Sequence, residues 1–186
     1  MKHVRNSVSV VAALLLAGLA AGLAQSAQDR YSVKVPGGLA FSDFRGYETW
    51  QVINLSQNGP VVAAILGNPA MIKAYQAGIP ANGKSFPDGA KMAKIHWLPK
   101  QNTNAPGSPT VADKLTNVDF MVKDSKRFAD SGGWGFAAFD YDGATDSFRP
   151  ADMKSTPPQD HDAKCGAACH TVAKSRDFVF TEFPKR

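Results

Sequence analysis

The chain has few of the features that mark several large classes of protein. It contains only two cysteines in 186 residues, and 20% of its residues are charged. No cluster of lysine and arginine offers the positive stripe that binds nucleic-acid phosphates, so nucleic acid is excluded as a partner. The chain also lacks a second long apolar run, a sustained heptad repeat and polar low-complexity tracts. These absences exclude a polytopic membrane protein, a coiled coil and a disordered chain, and leave one globular domain.

The one long apolar run lies near the amino terminus. Lys2 and Arg5 precede an uncharged run at residues 8–23, which as a helix barely crosses about 30 Å of hydrocarbon. We therefore expect a cleaved signal peptide at residues 1–24, a single domain at residues 25–186 and a periplasmic location, with an uncleaved membrane anchor as the alternative. Without the signal peptide, 19 basic residues face 16 acidic ones, and the net charge falls to +3.

Alternating apolar residues predict a fold that is mainly β. The segments expected to form strands are residues 30–39, 60–66, 91–98, 115–122, 134–141 and 177–183. Asn68 and Pro69 predict the start of a helix at residues 69–76, and Ser125 is expected to cap a helical turn. Connections of hairpin length favour an α+β class, with a twisted antiparallel sheet of five or six strands and a few short helices on one side.

One predicted strand carries chemically active side chains. In residues 91–98, alternation places Ala93 on one face, which we expect to join the core. The opposite face carries Met92, Lys94 and His96. Alternation alone favours the interpretation of Lys94 as an ordinary solvated lysine on a strand.

Both cysteines lie near the carboxyl terminus, and a histidine follows the second. Cys165, Cys169 and His170 provide what covalent haem attachment needs, namely two thioether bonds and an axial imidazole. Three residues separate the cysteines instead of the usual two, but a glycine and two alanines form a small, flexible loop. We therefore predict one covalently attached haem c, with His170 as the iron ligand, in a C-terminal haem-attachment segment.

Two other interpretations of this segment remain open. Cys165 and Cys169 can form a disulfide, although so small a ring stabilises little. His161, together with the two cysteines and His170, is also a plausible zinc or copper ligand set.

Several segments together resemble the cytochrome P-460 family of periplasmic mono-haem c proteins. These segments are residues 82–89, which lead into the strand with Lys94, residues 122–129 followed by residues 134–136, and the haem segment followed by residues 178–181. The family includes hydroxylamine-oxidising enzymes and the gas-binding cytochromes c′-beta. The resemblance implies a vacant distal iron position and a homodimer.

The resemblance also implies a role for Lys94. In the hydroxylamine-oxidising members a lysine at the similar position is bonded to a haem meso carbon, so Lys94 is a candidate catalytic and cofactor-binding residue. Those members place an arginine and a glutamate in the distal pocket, and this chain does not obviously supply them. Four phenylalanines are candidate pocket walls or plain core residues: Phe41, Phe44, Phe136 and Phe139.

Three functions follow from the resemblance. The first is the binding or oxidation of a small nitrogen compound, hydroxylamine or NO, with electrons passing to a soluble cytochrome. The second is an NO sensor or scavenger without turnover, which needs no distal acid or base. The third is a six-coordinate electron carrier with a methionine as distal ligand, the candidates being Met71, Met92, Met121 and Met153.

Overall fold

A six-stranded antiparallel sheet forms the centre of the computed structural model, which describes residues 27–154 and 164–186. The strands lie in the sheet in chain order, so each strand pairs with the next. The strands are β1 (Gln51–Asn58), β2 (Val61–Gly67), β3 (Lys91–Gln101), β4 (Thr110–Lys123), β5 (Trp134–Asp142) and β6 (Ser147–Pro150). The sheet is open, since β1 and β6 form its two edges. The α+β, mainly β class predicted from the sequence is confirmed.

The helices are few and short. The α-helices are α1 (Pro69–Gln76) and α2 (Lys164–His170), and the 3-10 helices are Arg30–Ser32, Phe41–Phe44, Tyr47–Thr49, Ala129–Ser131 and Thr171–Arg176. Within residues 27–154 and 164–186, no helix combines the length and the apolar character needed to cross a bilayer. The predicted signal peptide lies outside the described residues.

Two of the predicted strands are wrong. Residues 30–39 contain a 3-10 turn, because the side chain of Asp29 accepts a hydrogen bond from the backbone amide of Tyr31. Residues 177–183 form no strand, because Asp177 and Phe178 have positive φ angles of 50° and 63°, which no extended strand allows. The short strand β6, in contrast, was not predicted.

The single turn predicted after Ser125 is present, closed by a hydrogen bond from the amide of Phe128 to the carbonyl of Asp124, but the predicted cap is wrong. Residues 125–128 form a turn without a helix, and the side chain of Asp124 accepts hydrogen bonds from the amides of Lys126 and Arg127. Ser125 does not cap this turn. Its amide and hydroxyl both donate to the carboxylate of Asp88, in the loop before β3.

The two faces of the sheet pack against different parts of the chain. On one face, Phe120 and Phe139 contact Phe41 and Phe44 from the amino-terminal segment, and the rings of Phe44 and Phe120 stack 4.1 Å apart. Burial of these aromatic rings is the main stabilising contribution of that face. The opposite face, which includes Met92, packs against α1 and the carboxyl-terminal segment. The predicted alternation in β3 is therefore confirmed, although both of its faces are partly covered.

Asn68 connects helix α1 to the sheet. Its side-chain oxygen accepts hydrogen bonds from the amides of Met71 and Lys91, both at 3.0 Å. Its amide nitrogen donates to the carbonyl of Gly89 at 2.8 Å. One side chain therefore caps the helix, as predicted, and also fixes the start of β3, the strand that carries Lys94.

We predict that Asn68→Ala lowers the free energy of unfolding by about 1–2 kcal/mol, because it removes the helix cap. The additional loss of the Lys91 and Gly89 bonds places the effect at the upper end of that range. Urea denaturation measures the change. Asn104→Ala, at an exposed hairpin position, is the control and should have little effect. Equal midpoints for the two variants would contradict the role of Asn68.

Candidate functional site

The carboxyl-terminal segment lies close against strand β5. Gly166 in helix α2 makes this approach possible, because a Cβ atom at this position would lie 2.8 Å from the Cβ of Phe136. Real Cβ contacts are not that short, so any larger residue would push the helix away from the sheet. The helix ends at His170, which is thereby brought to the second face of the sheet.

The imidazole of His170 is fixed by two aromatic rings and one hydrogen bond. Its ring centroid lies 4.9 Å from that of Phe136 and 4.7 Å from that of Phe180. Its Nδ1 atom donates to the carbonyl oxygen of Phe178 at 2.6 Å. In the neutral imidazole, the proton on Nδ1 leaves the lone pair on Nε2, as in most metal-binding histidines.

The surroundings of His170 also favour its neutral form. Burial lowers the pKa of His170, and the positive charge of Lys94 lowers it further. A metal ligand must be unprotonated, so this direction suits a ligand role. One ring nitrogen of His170 is therefore bonded to the backbone, and the role of His170 as the iron ligand stays a prediction.

Two cavities meet at His170. The larger has a volume of about 790 Å³, and its lining includes Cys169, Phe136 and Met121, a size within the usual range for a small-molecule or cofactor site. The smaller has a volume of about 200 Å³ and is lined by Lys94 among others. The structure thus brings Lys94, Cys169 and His170 together from strand β3 and helix α2.

Three polar residues on the sheet form a network beside these cavities. Asp119 lines both cavities and faces Lys94 in the register of β3 and β4. One of its carboxylate oxygens lies 3.0 Å from Nε2 of His96. The other accepts a hydrogen bond of 2.8 Å from the side chain of Asn117. The carboxylate is therefore held in place at the wall of the site.

The sequence analysis missed Asp119 and Arg149, both of which line the larger cavity. Asp119 lies between the apolar residues Val118 and Phe120, and Arg149 lies on β6, a strand that the sequence did not predict. The alternation of side chains along β4 could have identified Asp119, because it places Asp119 on the face opposite Phe120. Only the pairing of β4 with β3 shows that this face carries the site.

The candidate wall and ligand residues divide between the two faces. Phe136 lines the larger cavity, whereas Phe41, Phe44 and Phe139 belong to the core on the other face. Among the methionines, Met92, Met121 and Met153 line a cavity. Met71, a buried residue of α1, instead packs in the core of the second face.

Two ligands of the alternative metal site lie outside the described part of the structure. They are His161 and the side chain of Cys165. Within the described parts of the chain, no group of three or more His, Cys, Asp or Glu side chains could hold a metal ion. The thiol of Cys169 is exposed, at the larger cavity.

Comparison with known protein families places most of the chain in one family. The family model described as Cytochrome P460 matches residues 44–181, a range that includes all six strands and both α-helices. No curated protein matches the chain.

We predict that Gly166→Val lowers the free energy of unfolding by about 1–3 kcal/mol, because the added carbons overlap Phe136. Ala168→Val, at an exposed position in the same helix, is the control. Helix propensity alone would make Gly166→Val the milder change. If thermal denaturation shows that Gly166→Val loses more stability than Ala168→Val, the cause is therefore packing. A larger loss of stability for Ala168→Val would contradict the close approach of α2 to β5.

Proposed function

Because the chain belongs to the cytochrome P460 family, we propose that it is a periplasmic mono-haem c protein that binds and oxidises hydroxylamine. Family membership supports haem binding and the c-type class. The observation that supports oxidation is the carboxylate of Asp119, which lies at both cavities beside His170. It supplies the proton acceptor that the sequence did not reveal.

The residues of the site fit a c-type haem. His170 keeps Nε2 available because its Nδ1 is bonded to the backbone. Cys169 and a largely apolar wall border a cavity of about 790 Å³, and Gly166 keeps the attachment helix against this wall. We propose that Cys165 and Cys169 are the thioether anchors and that His170 is the axial ligand. When bound, the haem iron supplies a coordination position and accepts electrons.

The protein side chains would handle the protons. Hydroxylamine loses protons as it loses electrons, so its oxidation requires a nearby acceptor. Asp119 can accept an N–H or O–H proton on its carboxylate, while His96 and Asn117 hold that carboxylate in place.

Lys94 lies at the same cavity as the proposed iron ligand. Its side chain lines the smaller cavity together with His170, and its charge acts on the histidine. We propose that Lys94 is bonded to a haem meso carbon, as the resemblance implies, and that it distorts and tunes the macrocycle. Lys94 would not transfer protons in this role.

Two further parts of the proposal, a soluble cytochrome as electron acceptor and a homodimer, rest on the resemblance alone. The cleaved signal peptide rests on Lys2, Arg5 and the apolar run at residues 8–23. A second function, NO binding without turnover, is favoured by the apolar lining of the cavity, where Phe136 and Met121 surround the histidine. The two functions differ in whether Asp119 matters.

We predict that the intact mass of the purified protein exceeds the mass of the mature polypeptide by one haem. Because one thioether bond still holds the haem covalently, we expect Cys169→Ala to keep it through acid extraction, with the ferrous absorption bands moved to longer wavelength since one vinyl group stays conjugated. The double variant Cys165→Ala, Cys169→Ala should retain none. Mass spectrometry and the ferrous spectrum check this. A mass equal to the bare polypeptide would support the disulfide or metal-ion alternatives.

We predict that Asp119→Asn slows hydroxylamine oxidation by about 10²–10⁴-fold, the usual contribution of a general base. Binding of NO or CO to the ferrous protein should change little, because neither ligand carries a proton. Asp113→Asn is the control, since Asp113 lies on the same strand but pairs with Lys100. Unchanged oxidation by Asp119→Asn would remove Asp119 from the mechanism, and absence of turnover in the unaltered protein would favour the NO-binding function.

A further inference from the structure

A buried ion pair connects the end of β4 to the residue that follows the 3-10 helix Thr171–Arg176. Nζ of Lys123, at the end of β4, lies 2.7 Å from Oδ1 of Asp177, and the two side chains are only 7% and 8% exposed. A buried ion pair is weak evidence for a contribution to stability, because desolvation offsets the attraction. The pair therefore calls for another role.

The ion pair connects the segment that carries Asp177 to three other segments of the chain. The second carboxylate oxygen of Asp177 accepts a hydrogen bond from the amide of Phe86 at 2.8 Å. Nζ of Lys123 donates to the carbonyl of Gly132 at 2.9 Å and lies 5.1 Å from the ring centroid of Trp134. Asp177 is thus fixed to the loop before β3, to β4 and to the turn before β5.

The residue after Asp177 is Phe178, whose carbonyl accepts the hydrogen bond from Nδ1 of His170. Both residues have left-handed φ angles, which a bulky residue such as phenylalanine rarely adopts. The ring of Phe178 packs onto Gly132, where a Cβ would lie 2.2 Å from the ring. Such a strained turn persists only when the surrounding contacts determine it.

We propose that Lys123 and Asp177 are positioning residues for His170. Their ion pair holds residues 177–178 in the left-handed conformation. This conformation directs the carbonyl of Phe178 toward the imidazole of His170. The inference rests on the proposed function, since it takes His170 to be the iron ligand. Neither Lys123 nor Asp177 lines either cavity, so the two residues act through His170 and touch no substrate.

The hydrogen bond to the ligand sets the electronic character of the iron. A histidine that donates strongly from Nδ1 is a more basic ligand, and a more basic ligand favours the ferric state. If the turn at residues 177–178 relaxes, the hydrogen bond from Nδ1 of His170 weakens. The imidazole then donates less electron density to the iron, and the reduction potential of the haem rises. A role confined to fold stability would leave the potential of the folded protein unchanged.

The test measures the reduction potential and the iron–histidine stretching frequency of the haem-loaded protein. For Asp177→Asn and Lys123→Met we expect a three- to tenfold shift toward reduced protein at a fixed potential. For a one-electron couple this equals a rise of about 28–59 mV. The stretching frequency should fall as well. Lys123→Arg keeps the positive charge, so its reduction potential and stretching frequency should stay closer to those of the unaltered protein. Asparagine tolerates positive φ, so Asp177→Asn keeps the turn accessible.

Two controls separate positioning from general destabilisation. Asp113→Asn removes the carboxylate of the exposed pair with Lys100, and Val118→Ala opens a fully buried position on the opposite face of the sheet. Neither should shift the potential. If Val118→Ala shifts it as much as Asp177→Asn does, the effect is general and the inference is wrong.

The outcomes also separate this inference from the proposed function. If the unaltered protein carries no haem, the proposed function fails and the inference fails with it. If the protein carries haem on His170 but Asp177→Asn and Lys123→Met leave both measurements unchanged, the inference alone is overturned. Loss of haem in Asp177→Asn, with normal haem content in Val118→Ala, would support it, because His170 would then be misplaced.

Discussion

The hydrogen bond between Nδ1 of His170 and the Phe178 carbonyl is the constraint on which the rest of the site depends. It fixes which nitrogen carries the proton, and therefore which nitrogen can bind a metal. The donor precedes and the acceptor follows the 3-10 helix Thr171–Arg176. The chain must therefore turn back toward His170 within eight residues for this bond to form. That reversal uses two left-handed residues, Asp177 and Phe178, and is held by contacts with the sheet.

The sheet divides stability and chemistry between its two faces. The face with Phe120 and Phe139 is packed by an aromatic cluster, whereas the face with Lys94 and Asp119 borders the cavities. Polar groups next to a cavity contribute little to folding, and burying them is costly unless they are bonded. The second face is itself packed against α1 and the carboxyl-terminal segment, and the side chain of Asp119 stays 43% exposed, so this face carries a carboxylate beside an amine without burying the carboxylate.

The sequence predicted what depends on local pattern. Strand β3 and helix α1 were recognised because alternation and a helix cap act over a few neighbouring residues, and Lys94 was placed on the correct face for the same reason. Residues 177–183 also alternate, but the left-handed turn there is held by Lys123, which lies 54 positions away. Asp119 likewise gains its role only from the neighbouring strand. The attachment by Cys165 and Cys169 stays a prediction.

The order of the strands has a consequence for how the protein matures. Since every strand pairs with its neighbour in the chain, the sheet can form by successive pairing of neighbours, and the longest connection to close is residues 68–90, which contain α1. The wall that carries Lys94 and Asp119 can therefore be complete before residues 164–186 come to rest on it. Until that final docking the tail remains outside the folded body, where its two thiols are open to chemical modification by another protein.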